Sequence, residues 1–96
     1  MRKIIIAQLA IKENKVEQFL ELARKMVEES NSECGCLTYR LHREDVNDNC
    51  FIIYEEYANQ EAIDIHNSSE YFIFFKSSIH NLLLKNIKIE IFNSPL

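Results

Sequence analysis

The 96-residue chain has one glycine, one proline and no tryptophan. It therefore lacks the Gly- and Pro-rich stretches that make linkers and low-complexity segments, and residues 1–96 read as one compact domain. Apolar runs are short. Ile4-Ile5-Ile6-Ala7 falls far below the roughly 18 to 20 residues that cross a bilayer, and no signal-peptide pattern follows Arg2-Lys3, so no membrane partner is expected. Basic residues are outnumbered, 11 against 15 acidic ones, for a formal charge of -4. Without clustered Lys and Arg, nucleic acid is excluded as a partner class. Three cysteines, an odd number, suit free thiols in a reducing compartment rather than a disulfide framework, and the expected location is cytoplasmic. No Gly-rich phosphate loop, metal-spaced His and carboxylate cluster or Ser-His-Asp signature is present, so no cofactor and no metal is expected.

What is there is strongly patterned. KIIIAQLAI, residues 3–11, is rich in Ile and too short for a typical helix, which predicts a strand buried on both faces. Asn14 stands three before Glu17, predicting a capped helix start. Val16, Phe19, Leu20, Ala23, Met26 and Val27 then form an apolar stripe, with Glu21 and Lys25 spaced to pair on the polar side. Leu37, Tyr39 and Leu41 alternate with polar residues, and so does CFIIYEEY from Cys50 to Tyr57. With VNDN as the turn, the two segments predict a hairpin in which Cys50 lies opposite Arg43 and Cys36 opposite Tyr57. Asn59 can cap a short helix through Ala62, Ile63 and His66, and Ser68 or Ser69 a second one carrying Phe72, Phe75, Ile79 and Leu82. A last strand spans Ile87 to Phe92. The order is that of an α+β, ferredoxin-like βαββαβ sandwich with helices on one sheet face. Its other face, apolar on both parities of strands one and three, calls for a second copy as a lid.

Cys34-Gly35-Cys36 offers two soft ligands where zinc wants four, and the hairpin keeps Cys50 far away. The glycine is expected to take the positive φ of a turn between helix and strand. His66 shares a helix face with Ala62 and must look into something enclosed. Two readings stay open: a core imidazole held by a backbone carbonyl or a tyrosine, or a general base in a pocket between helices and sheet. Glu55, on the same strand face as Ile53 and Tyr57, needs a partner such as Tyr39, Arg40 or His66, or else reaches the sheet edge. Tyr39, Tyr57, Tyr71, Phe72 and Phe75 are core candidates that can also line a cavity. The run Glu28, Glu29 and Glu33 reads as a solvated helix end.

The pattern E-x-G-C-x-x-Y-x-L-x-R from Glu33 to Arg43, with FIIYEEYANQEAIDIHNSSEYF from Phe51 to Phe72, resembles the antibiotic biosynthesis monooxygenase family over nearly the whole chain. The resemblance implies a dimeric α/β-barrel, two ferredoxin-like sheets packed together, with a pocket for a small-molecule substrate in each subunit. Several members oxidise phenols or quinols with O2 and no metal, flavin or haem. The matching positions are Glu55, His66 and Tyr57, the last where the family commonly has Trp; His66 and Glu55 are expected as the catalytic pair, and Tyr57 with the aromatic residues Tyr39, Tyr71, Phe72 and Phe75 as substrate contacts. Cys34 stands where a turn proline is usual. Around Tyr54-Glu55-x-Tyr57 and Ala62 to His66 the chain is also similar to the isomerase of phosphorylated autoinducer-2. That reaction would need a phosphate contact from Arg40, Arg43, Lys76 or Lys85. A third possibility is a non-catalytic dimeric ligand-binding domain.

Overall fold

A computed structural model describes all residues from Met1 to Leu96. The strands are β1 (Arg2–Ala10), β2 (Cys36–Arg43), β3 (Cys50–Tyr57) and β4 (Lys88–Ser94), and the helices α1 (Val16–Asn31), α2 (Gln60–Asn67) and α3 (Glu70–Ile79). The strands form one antiparallel sheet in the order β2-β3-β1-β4, the α+β ferredoxin-like arrangement that the element order predicts.

Register assigns each residue a face, because directly opposed residues share one. Ile5 faces Glu55 and Ile91, and Ala7 faces Ile53 and Ile89, while Tyr39 and Leu41 continue those two rows across β2. These rows point towards the helices, whose Phe19, Ala23, Met26, Ile63, Phe75 and Ile79 complete the core. Ile4, Ile6, Ile52, Tyr54 and Phe92 occupy the opposite face together with Gln8, Arg40, Glu56 and Glu90. No helix covers that face. Strands β1 and β3 carry apolar residues on this face as well, Ile4, Ile6, Ile52 and Tyr54, beside the polar Gln8 and Glu56.

Several local expectations are corrected. Asn14 is not a cap: Glu13–Lys15 make a 3-10 turn, closed by Lys15 N–H donating to the Lys12 carbonyl, and α1 begins one residue later without a side-chain cap. Glu21 meets Arg24 at 3.7 Å on the exposed side of α1, in place of Lys25. In the hairpin Cys36 does oppose Tyr57, but Arg43 pairs with Phe51 and not Cys50. A bulge between Cys36 and Thr38 slips the register by one and turns Leu37 outward. The last strand begins at Lys88, one residue after the expected start. Gly35 has no positive φ. It is required by proximity, since a Cβ at that position would lie 2.5 Å from Ala62 Cβ, closer than side chains pack.

Candidate functional site

Three local devices converge on one spot between α2, α3 and the sheet. At the end of α1, Asn31 pairs with Tyr39 as a strand would: its Nδ2 donates to the Tyr39 carbonyl at 2.9 Å and its Oδ1 accepts the Tyr39 N–H at 3.1 Å. Tyr39 is thereby fixed on the helix side of β2. Asn59 Oδ1 accepts the Ala62 N–H at 2.9 Å and starts α2, so that His66, one turn after Ala62, is directed inward. Ser69 Oγ accepts the Phe72 N–H at 3.3 Å and donates to the His66 carbonyl at 2.7 Å, joining the end of α2 to the start of α3.

His66 is 1% exposed. Its ring is surrounded by Phe72, Tyr57, Tyr39 and Tyr71, at centroid distances of 4.9, 5.4, 5.6 and 6.4 Å. Nδ1 lies 3.1 Å from Glu33 Oε2, whereas Nε2 is buried with no hydrogen-bond partner. Leaving such an atom unpaired costs about 1–3 kcal/mol, and functional sites are where that cost is commonly borne. Across the cluster the Tyr57 hydroxyl donates to Glu55 Oε1 at 2.6 Å. Glu55 lies between Ile5 of β1 and Tyr39 of β2 in the sheet register.

Burial dominates the electrostatics. It pushes the Glu55 carboxyl up to about 7, with the Tyr57 hydroxyl acting against the rise and Glu33 adding to it. His66 is lowered by burial, with Glu33 opposing, so the imidazole is neutral at pH 7. The Tyr39 and Tyr57 hydroxyls are raised, first by burial and then by Glu55, and remain protonated. Cys36 is pushed up to about 11 by burial and then by Glu33, which makes it an inert thiol. A neutral imidazole carries one ring lone pair, and with a carboxyl titrating around neutrality in the same cluster the site has the means to take up and return a proton.

The structure thus brings together His66, Tyr39, Tyr57, Tyr71 and Phe72, with Glu55 joined through Tyr57. Phe75 is elsewhere, packed 6.4 Å from Phe19 in the core. The partner of Glu55 is Tyr57, not Tyr39, Arg40 or His66. The partner of His66 is neither a carbonyl nor a tyrosine but Glu33, which is not solvated as expected: its side chain is 13% exposed. Glu33 stands out in sequence only as the first letter of E-x-G, and nothing in its spacing announces a helix thirty residues away. No group of three or more His, Cys, Asp and Glu side chains is placed to hold a metal ion, and the cysteines are unpaired.

Residues 3–76 match the antibiotic biosynthesis monooxygenase family. An uncharacterized protein, sll1783, of Synechocystis sp. is 32% identical over 89 residues, 93% of this chain; the chain spans 60% of that relative's length. Among solved structures, one described as an antibiotic biosynthesis monooxygenase superposes with a TM-score of 0.91 at 29% identity, covering 98% of each chain. A conserved protein of Methanosarcina mazei Go1 superposes with a TM-score of 0.92 at 26% identity, covering 96% of this chain and 91% of its own.

Proposed function

Since the chain belongs to the antibiotic biosynthesis monooxygenase family, we propose that it is a cofactor-independent monooxygenase that oxidises a small phenolic or quinol-type aromatic with O2. The observation that carries this reading is the free Nε2 of His66, buried among three tyrosines and a phenylalanine. A phenol placed there donates its proton to Nε2. The resulting phenolate is electron-rich enough to reduce O2, one oxygen atom entering a ring C–H position to give the quinone and the other leaving as water. Substrate supplies all four electrons, so the reading calls on no metal, flavin or haem. Glu55, poised near neutrality, serves to return a proton to the reduced oxygen. Tyr39, Tyr57, Tyr71 and Phe72 supply flat apolar walls for an aromatic ring.

His66 lines none of four surface cavities, although Tyr71 borders one of them together with Leu22, Met26 and Phe75. With His66 only 1% exposed, substrate entry requires part of the aromatic wall to move, and the half-buried Tyr71 and Phe72 at the start of α3 are the members nearest solvent.

The phosphorylated-dione reading lacks an anchor for its phosphate. Arg40 is on the open sheet face. Lys76 is exposed on α3, and Arg43 and Lys85 border a separate cleft with Cys50 and Lys88. No Lys or Arg forms an ion pair in the His66 cluster.

The proposal includes a symmetric homodimer joined through the helix-free sheet face, and a cytoplasmic setting that suits the free thiols. Oxygen uptake with a panel of dihydroxynaphthalenes and quinols tests the activity. Uptake by the wild type that falls by 100-fold or more in His66→Ala, at unchanged fold, is the expected result. Equal uptake by both proteins would contradict the role of His66, and uptake with no member would contradict the activity and leave a ligand-binding domain.

A further inference from the structure

His66 meets Glu33 because of a contact two residues further along. Gly35 and Ala62 touch so closely that a Cβ on residue 35 would lie 2.5 Å from Ala62 Cβ. The Gly35 carbonyl also accepts the Ala58 N–H at 2.9 Å, which pins the segment beyond β3 to the same residue. Ala62 and His66 are one helical turn apart and share a face, so the approach at Ala62 determines how near the imidazole comes to residue 33. At that position Glu33 Oε2 is 3.1 Å from Nδ1. An ionised carboxylate only accepts hydrogen bonds, so the imidazole proton belongs on Nδ1 and the lone pair on Nε2. That is the atom left without a partner.

We infer that Glu33 and His66 form a carboxylate–imidazole dyad, set in register by the Gly35–Ala62 contact, in which Glu33 is the positioning residue that holds the proton on Nδ1 and keeps Nε2 available as a base. The inference deepens the reading of His66 as the base and rests on it for its role in turnover, but the tautomer itself stands on geometry. Glu33 also supplies the counter-charge when Nε2 takes up a proton, since the imidazolium forms beside it. The other groups around the ring make no ion pair with it: Tyr39 on β2, Tyr57 on β3 and Tyr71 on α3 are phenols, Phe72 is apolar, and Glu55 accepts the Tyr57 hydroxyl instead. Glu33 in addition borders a surface cavity of about 240 Å³ with Cys34, Asn59, Glu61 and Ile65, so one side of the dyad is open to water.

Long-range 1H–15N correlation spectra of histidine-labelled protein read the tautomer without any substrate. His42 and His80 are separated from His66 by comparison with His66→Gln. The wild type is expected to show one tautomer, protonated at Nδ1. Glu33→Gln, whose amide donates as readily as it accepts, is expected to give a mixture and to protonate at lower pH than the wild type; Glu33→Asp is expected to recover part of the Nδ1–H form. Gly35→Ala forces α2 back by roughly 1 Å and should shift the tautomer in the same direction. In Gly35→Ala/Ala62→Gly the new methyl meets only the α-carbon of position 62, 3.5 Å away, and the wild-type form should return. An Nε2-protonated wild type, or a Glu33→Gln spectrum identical to wild type, overturns the dyad. Failure of the double variant to restore the tautomer overturns the role of the glycine contact. A correct tautomer without oxygen uptake would refute the proposed reaction while the dyad stands, and the reverse combination would do the opposite.

Discussion

Glu55 is a carboxyl group moved by burial into the range where cells operate. Its ordinary value of 4.5 rises to about 7 in the fold. A group whose folded value is raised adds stability that is fully present below the unfolded value and disappears as pH climbs through the folded one. A rise of this size corresponds to roughly 3 kcal/mol, lost between about pH 4.5 and pH 7. His66 acts in the opposite sense: its lowered value means stability present above its ordinary 6.5 and lost as pH falls. The two are separated by substitution. Glu55→Gln keeps an oxygen for the Tyr57 hydroxyl and removes the charge, so it should match the wild type near pH 4.5 and exceed it by up to about 3 kcal/mol above pH 7. Urea denaturation at both pH values measures this, and a wild-type-minus-variant difference that does not change with pH would contradict it.

At the scale of elements, α2 and α3 form a short two-part lid whose starts are set by Asn59 and Ser69. Removing the first cap with Asn59→Ala should cost about 1 kcal/mol in thermal or chemical denaturation. Phe72, 4.9 Å from the His66 ring, is the part of the lid that screens the imidazole. Phe72→Ala is expected to make His66 reactive to diethyl pyrocarbonate while the wild type is protected, and equal rates of modification would place the screen elsewhere. Both caps, the His66 face and the strand parity around Glu55 are legible in sequence because each follows from spacing within a single element. Glu33, the bulge at Leu37 and the reason for Gly35 are not. Each depends on where a second element comes to rest, α2 against residues 33–35 or β3 against β2, and a local pattern carries no signal for that. The bulge shows how one extra residue reverses the facing of Leu37 although its alternation with Tyr39 is intact.

For the whole molecule, the sheet has helices on one face only. Ile4, Ile6, Ile52, Tyr54 and Phe92 lie on the other, and Ile89 and Ile91 of the edge strand are 59% and 62% exposed although their parity faces the helices. A second copy would cover these groups, and a stable pair needs roughly 800 Å² or more buried on each subunit. Light scattering should give twice 11.4 kDa at micromolar concentration; Ile6→Glu should return the mass to that of one chain, and a monomeric wild type would refute the pairing. The sequence identifies the apolar strands, while only the register assigns Ile4, Ile6 and Ile52 to the helix-free face. The central claim, that a buried neutral His66 draws the proton from a phenol, is tested most directly by anaerobic difference spectroscopy of a dihydroxynaphthalene bound to the protein. The account predicts the absorbance of the phenolate in wild-type protein and of the neutral phenol in His66→Gln. A neutral phenol bound to the wild type, or a phenolate bound equally well to His66→Gln, would contradict it.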